Sequence, residues 1–112
     1  MFSKLNKIET ALVTLASDVD DKIYHYFRPQ LEAPYIVWQE DSEASSLEAD
    51  VHKQEQAISG TVDFYTKTEY DPIVDKIQEA LNTVETCAWA LNSVQYEDET
   101  DLIHYEWTWN VG

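Results

Sequence analysis

AISGTVDFYTKTEYDPIVDKIQEALNTV, residues 57–84, changes its hydrophobic period halfway along, and that change decides the fold. In the first part Ile58, Val62 and Phe64 share one face with Gly60 between them, while Ser59, Thr61, Asp63 and Tyr65 share the other. Period-2 alternation of this kind marks a half-buried strand. In the second part Ile73, Ile77, Ala80, Leu81 and Val84 recur at helical spacing and form one apolar stripe. Asp71 is placed to cap that helix, and Pro72 suits its first position, where no backbone N–H is required. The rest of the chain is what this strand and helix must pack against.

Downstream, residues 88–96 (AWALNSVQY) read as a strand with Trp89, Leu91, Ser93 and Gln95 alternating against Ala90, Asn92, Val94 and Tyr96. An acidic turn, Glu97-Asp98-Glu99-Thr100-Asp101, leads to a last strand over 102–111. There Ile103, Tyr105, Trp107, Trp109 and Val111 face one way, and Leu102, His104, Glu106, Thr108 and Asn110 the other. A hairpin joins the two.

Upstream, YIVWQE at 35–40 is β-branched and aromatic enough for a strand. The segment 41–50, DSEASSLEAD, holds Asp41, Glu43, Glu48 and Asp50 without a basic residue, and reads as an exposed loop or extended hairpin arm. VHKQEQ at 51–56 would begin a long following strand whose first half is polar on both faces, so a polar arm around 40–56 is expected to project. At the N-terminus Leu5, Ile8, Leu12, Leu15 and Val19, widened by Ala11 and Ala16, predict a helix from about Ser3 to Val19. KIYHYF at 22–27 fits either a helical turn or an extended segment. Arg28-Pro29 and Ala33-Pro34 bracket a loop, because residues before proline avoid helix. The expectation is one α+β domain over 1–112. Its sheet is mostly antiparallel, of four to five strands, with two helices on one face, in the order α-β-β-α-β-β.

Twenty-two acidic residues face seven basic ones, a formal net charge of −15. That field repels nucleic-acid phosphates and anionic membranes. It fits an acidic soluble surface, a surface that must not adhere to DNA, or one that imitates DNA. No run reaches transmembrane length, and the first residues hold no apolar run of signal-peptide length, which points to the cytoplasm. Cys87 is the only cysteine, so no internal disulfide forms, and its place after the helix suggests a small buried side chain.

Chemistry-bearing patterns are weak. His25, His52 and His104 have no His or Cys at ligand spacing. His104 and Glu106 share a strand face and could hold a divalent ion, although a solvated face looks the same. Asp20-Asp21 and the acids of 97–101 lie in turns, where carboxylates cap and solvate. Ser42, Ser45 and Ser46 lack a nucleophile elbow. Asp41-x-Glu43 lacks the glycine and spacing of a calcium loop, and two glycines in the chain exclude a phosphate-binding loop. The Tyr105, Trp107, Trp109 face suits a core, an oligomer contact or, less naturally, a ligand platform.

The order of elements carries a resemblance. A helix is followed by Pro34-Tyr35-Ile36-Val37-Trp38 and an acidic, serine-containing arm. Then come a strand ending Val62-Asp63-Phe64-Tyr65, the connection TKTEYDP, a helix, and a closing strand Tyr105-Glu106-Trp107-Thr108-Trp109-Asn110-Val111. This resembles the tail-completion or tail-terminator (tail-to-head joining) proteins of long-tailed phages and prophages, over about residues 1–111. Members of that family often carry more basic residues and a glycine after the second helix, where this chain has seven basic residues in all and Glu85-Thr86-Cys87. The resemblance implies a virion structural protein without enzymatic activity or cofactor. Such a protein forms a ring of usually six copies, caps the tail tube and docks to the head connector, first in the host cytoplasm and then in the virion tail. DNA would pass through the ring without sequence-specific binding. Asp41, Glu43, Glu48 and Asp50 become candidates for a lumen-facing or ring-building arm, and Trp107 and Trp109 for an interface. The alternative from charge is an acidic DNA mimic that inhibits a nucleic-acid-binding protein; no residue constellation favours a small enzyme.

Overall fold

The computed structural model describes residues 2–27, 32–44 and 57–112. The elements are α1 (Phe2–Val13), a 3-10 turn (Ala16–Asp18), β1 (Ile23–His25), β2 (Tyr35–Ala44), β3 (Ala57–Thr66), α2 (Ile73–Asn82), β4 (Cys87–Glu97) and β5 (Leu102–Val111). The strands form one sheet in the order β1-β2-β3-β5-β4. The α+β class and the two helices are as expected. The sheet is mixed, however, because β1 runs parallel to β2 while the other three pairings are antiparallel. The expected element order lacked this strand. KIYHYF is too short to show a period, and it is held extended by its neighbour: Ile36 N–H donates to Lys22 O at 2.9 Å and Tyr26 N–H to Trp38 O at 2.9 Å.

Alternation along each strand sends the core residues to one side. The register lines up Ile36, Phe64 and Tyr105 across three strands, then Trp38, Val62 and Trp107 one step along. Leu5, Ile8, Leu12, Leu15 and Val19 from the first helical segment, and Ile73, Ile77 and Leu81 from α2, join these in one buried cluster. Both helices therefore cover the same sheet face. A smaller cluster on the other face gathers Tyr35, Val37, Tyr65 and Leu102.

Helix α1 is shorter than its apolar spacing suggests. The Thr14 hydroxyl donates to Ala11 O at 2.6 Å, and the chain tightens into i→i+3 bonds from Leu15 to Leu12 and from Asp18 to Leu15. A hydroxyl that competes for a helix carbonyl favours such an ending, and Leu15 and Val19 still reach the core. Asp20 and Asp21 then take left-handed φ of 53° and 62°, a region in which Asp is one of the tolerated residues. Helix α2 begins as expected. Asp71 Oδ1 accepts from Ile73 N–H at 2.9 Å, and its Oδ2 accepts from the Thr66 hydroxyl at 2.6 Å, so one buried carboxylate joins the end of β3 to the start of α2.

The register slips once in β2, between Glu40 and Ser42, and once in β4, between Leu91 and Ser93. The second bulge overturns the alternation expected for residues 88–96. With Asn92 as the extra residue, Ser93 lies opposite Glu106 and Val94 opposite Tyr105. Trp89, Leu91, Val94 and Tyr96 thus share the helix-covered side, and Ser93 and Gln95 face away.

Candidate functional surfaces

The tryptophans expected at an interface are core residues. Trp107 is fully buried and Trp109 is 2% exposed. The Trp107 Nε1–H donates to Gln78 Oε1 on α2 at 3.0 Å, and the half-buried Trp89 Nε1–H to Asn82 Oδ1 at 2.8 Å, so α2 sits over this end of β4 and β5. The Trp109 Nε1–H is buried with no partner among the described residues. Its ring occupies the space over Gly60, where a Cβ would meet Trp109 Cζ2 at 2.4 Å and Gln39 O at 2.1 Å. Sequence alternation alone could not tell a covered aromatic face from an open one, because both have the same period.

Of the acidic arm, Asp41 lies at the β2 bulge, exposed, and accepts from Gln39 Nε2 at 3.3 Å. Glu43 lies in β2 opposite Ile58. Glu48 and Asp50, with the rest of the arm over 45–56 and the expected strand start at 51, lie outside the described residues. The two ends of that segment are the last paired residues of the β2–β3 ladder, Ala44 and Ala57.

His25 and His104 are engaged by the protein's own carboxylates, and His52 lies outside the described residues. His104 Nε2 is 2.7 Å from Asp63 Oδ1 and its Nδ1 is 3.9 Å from Glu97, while its ring stacks on Tyr65 at 4.3 Å. Glu106, on the same strand face, accepts from Ser93 Oγ at 3.5 Å. No group of three His, Cys, Asp or Glu side chains is arranged for a metal among the described residues. At the β1 end the ring of His25 lies between Tyr26 and Trp38, with centroids at 3.8 and 3.9 Å. Its Nε2 is 2.8 Å from Glu40 Oε1, and the Tyr26 hydroxyl donates to Glu40 Oε2. Burial of the Glu40 carboxyl works against its charge, but the hydrogen bonds from Tyr26 and His25 prevail and hold it below the usual carboxylate range. The same hydrogen bond, with a smaller push from burial, raises the Tyr26 phenol. Tyr26 has a φ of 84°, a strained backbone position for a bulky side chain.

Cys87 is half-buried, and burial pushes its thiol up against a smaller opposing hydrogen bond from the Asn110 backbone, which makes it a poor nucleophile. The acids of the β4–β5 turn bond locally: Asp101 accepts from the Tyr96 hydroxyl and Glu97 from that of Thr100.

What sequence reading missed is at the two edges of the sheet. On β4, Leu91, Val94 and Tyr96 are 43%, 50% and 59% exposed, beside the half-buried Ile103 and Tyr105 of β5. Beyond β1, Tyr26 and Phe27 are 55% and 65% exposed. A slip in the hydrophobic period at Asn92 was the one available signal for the first patch. No family model matches this chain, and no curated protein matches it.

Proposed function

We propose that this chain is a virion structural protein of the tail-terminator type, which closes into a ring, caps the tail tube and joins it to the head. One observation carries the reading. The three stretches on which the resemblance rests, at 34–38, 62–65 and 105–111, fall on β2, β3 and β5, which lie side by side at the centre of the sheet. Their residues meet in register as Ile36–Phe64–Tyr105 and Trp38–Val62–Trp107. Soft apolar patterns scattered over the chain thus form one packed unit, as expected of patterns that specify a shared scaffold. Such a scaffold acts by geometry: a closed ring of head-to-tail contacts ends growth of a tube and presents a new surface. The −15 charge fits a wall past which DNA slides without adhering. The tail-tube protein and the head connector are the partners on this reading, with six copies the natural ring.

Purified tail tubes provide the test. Added protein should cap one end as a ring visible by electron microscopy and stop further elongation. The −15 charge also favours the DNA-mimic reading. A protein that leaves tubes uncapped but blocks a DNA-binding enzyme, with inhibition falling steeply as salt rises, would establish that reading in its place.

A further inference from the structure

Among the described residues neither edge of the sheet carries a further strand, and the two edges differ. Along β4 the backbone groups facing away from β5 have no strand to pair with among the described residues, and an edge of this length is a template for another chain unless something blunts it. Charge is the usual device, yet residues 86–96 carry no charged side chain, the longest such run in a chain that is 26% charged. On the helix-covered side this edge shows exposed Leu91, Val94 and Tyr96, with half-buried Ile103 and Tyr105 behind them. The opposite edge is the three-residue β1, followed by exposed Tyr26 and Phe27, with the rings of Tyr26, His25 and Trp38 stacked in sequence.

We infer that the β4 edge and its apolar patch dock against the β1 end of a second copy, from Ile23 to Phe27, in a head-to-tail contact. Two features select this occupant. Copies with a formal charge of −15 repel one another, so they meet most easily where charge is absent, and 86–96 is that place. An antiparallel pairing of β4 with β4 would bring the acidic turn of each copy, Glu97 to Asp101, toward Glu85 of the other. Pairing with the β1 end instead offers the rings of Tyr26 and Phe27 to the apolar patch, beside a Glu40 carboxylate that the Tyr26 hydroxyl and His25 already bind. Distinct surfaces on the two partners produce a closing ring or an open chain, where a self-complementary patch produces a dimer. The inference rests on the ring reading and supplies its contact surface, but it is tested separately from tube capping.

Light scattering and native mass spectrometry over a concentration series would compare the wild type with Val94→Glu and Phe27→Glu, after circular dichroism has shown that each variant keeps its fold. Tyr96→Glu replaces Val94→Glu if the latter unfolds. The wild type should assemble beyond a dimer, and each variant alone should associate at least tenfold more weakly. An equimolar mixture of the two variants should form a dimer and stop there, because it contains one intact β4 edge and one intact β1 end. Phe27→Glu assembling normally while Val94→Glu does not would mean β4–β4 pairing and overturn the head-to-tail contact. Normal assembly of Val94→Glu, or a wild type that stays monomeric at every concentration, would overturn the use of β4 altogether, and capping of tail tubes would still decide the ring reading independently.

Discussion

Gly60 has no room for a side chain. A Cβ there would fall 2.1 Å from Gln39 O and 2.8 Å from Glu40 Cα, both backbone atoms, as well as into the Trp109 ring. Gly60→Ala should lower stability by the overpacking cost of about 1–3 kcal/mol, toward the upper end because backbone must shift; chemical denaturation of the two proteins measures it. Asp71 works by bonding instead of by space. Asp71→Ala leaves the Ile73 N–H and the Thr66 hydroxyl without this partner, and a lost helix cap costs about 0.5–2 kcal/mol. Asp71→Asn, which keeps an acceptor, should recover part of that loss in the same assay. Glu40 responds to pH. Its carboxyl titrates lower in the folded chain than in the unfolded one, so its stabilising effect is complete above the unfolded value of about 4.3 and fades as pH falls through the folded value. Glu40→Gln should therefore be less stable than the wild type at neutral pH and approach it in thermal melts below about pH 4.

At the scale of elements, legibility followed strength of period. β3, α2 and β5 were readable because each holds a single period over its length, and Asp71-Pro72 marks the helix start. The β1 strand was not, because its three residues have no period of their own and its extended form comes from hydrogen bonds to β2. The end of α1 was blurred because a 3-10 turn keeps Leu15 and Val19 inward, much as a helix would. In β4 two faces were exchanged at Asn92, since the only mark of the bulge is the three-residue step from Leu91 to Val94, which strict alternation reads across. The candidate site suffered most. Exposure at a sheet edge depends on how far α2 extends over it, and strand alternation carries no record of that. The tight turn after α2 is set by Thr86, whose φ of 56° occupies the left-handed region while its hydroxyl lies 3.0 Å from Gly112 O. A glycine at this position would meet the same backbone demand without strain.

For the whole molecule the surplus of acid sets the response to salt. Few of the 22 acidic residues can find a cation when seven are present, and among the described contacts Lys76 with Asp18 at 2.8 Å is an exposed pair that adds little. Self-repulsion on this scale is screened as the Debye length shrinks from about 30 Å at 0.01 M to about 8 Å at 0.15 M ionic strength. The melting temperature should rise over that interval, by a few degrees for a change of about 1 kcal/mol, and scanning calorimetry in sodium chloride would show a fall instead if ion pairs dominated.

The bulge at Asn92 has a consequence for lineages related to this chain. β4 spends eleven residues where β5 spends ten, and the surplus sits between two stretches that each keep strict alternation. Deleting Asn92 leaves every remaining side chain of β4 on its present face and straightens the strand, whereas deleting Gln95 turns Tyr96 over. Loss or gain of a residue at 92 is thus a silent edit to the pattern and an audible one to the curvature of the edge. Drift in length at this point would reshape the β4 edge while the amino acids exposed along it stay the same.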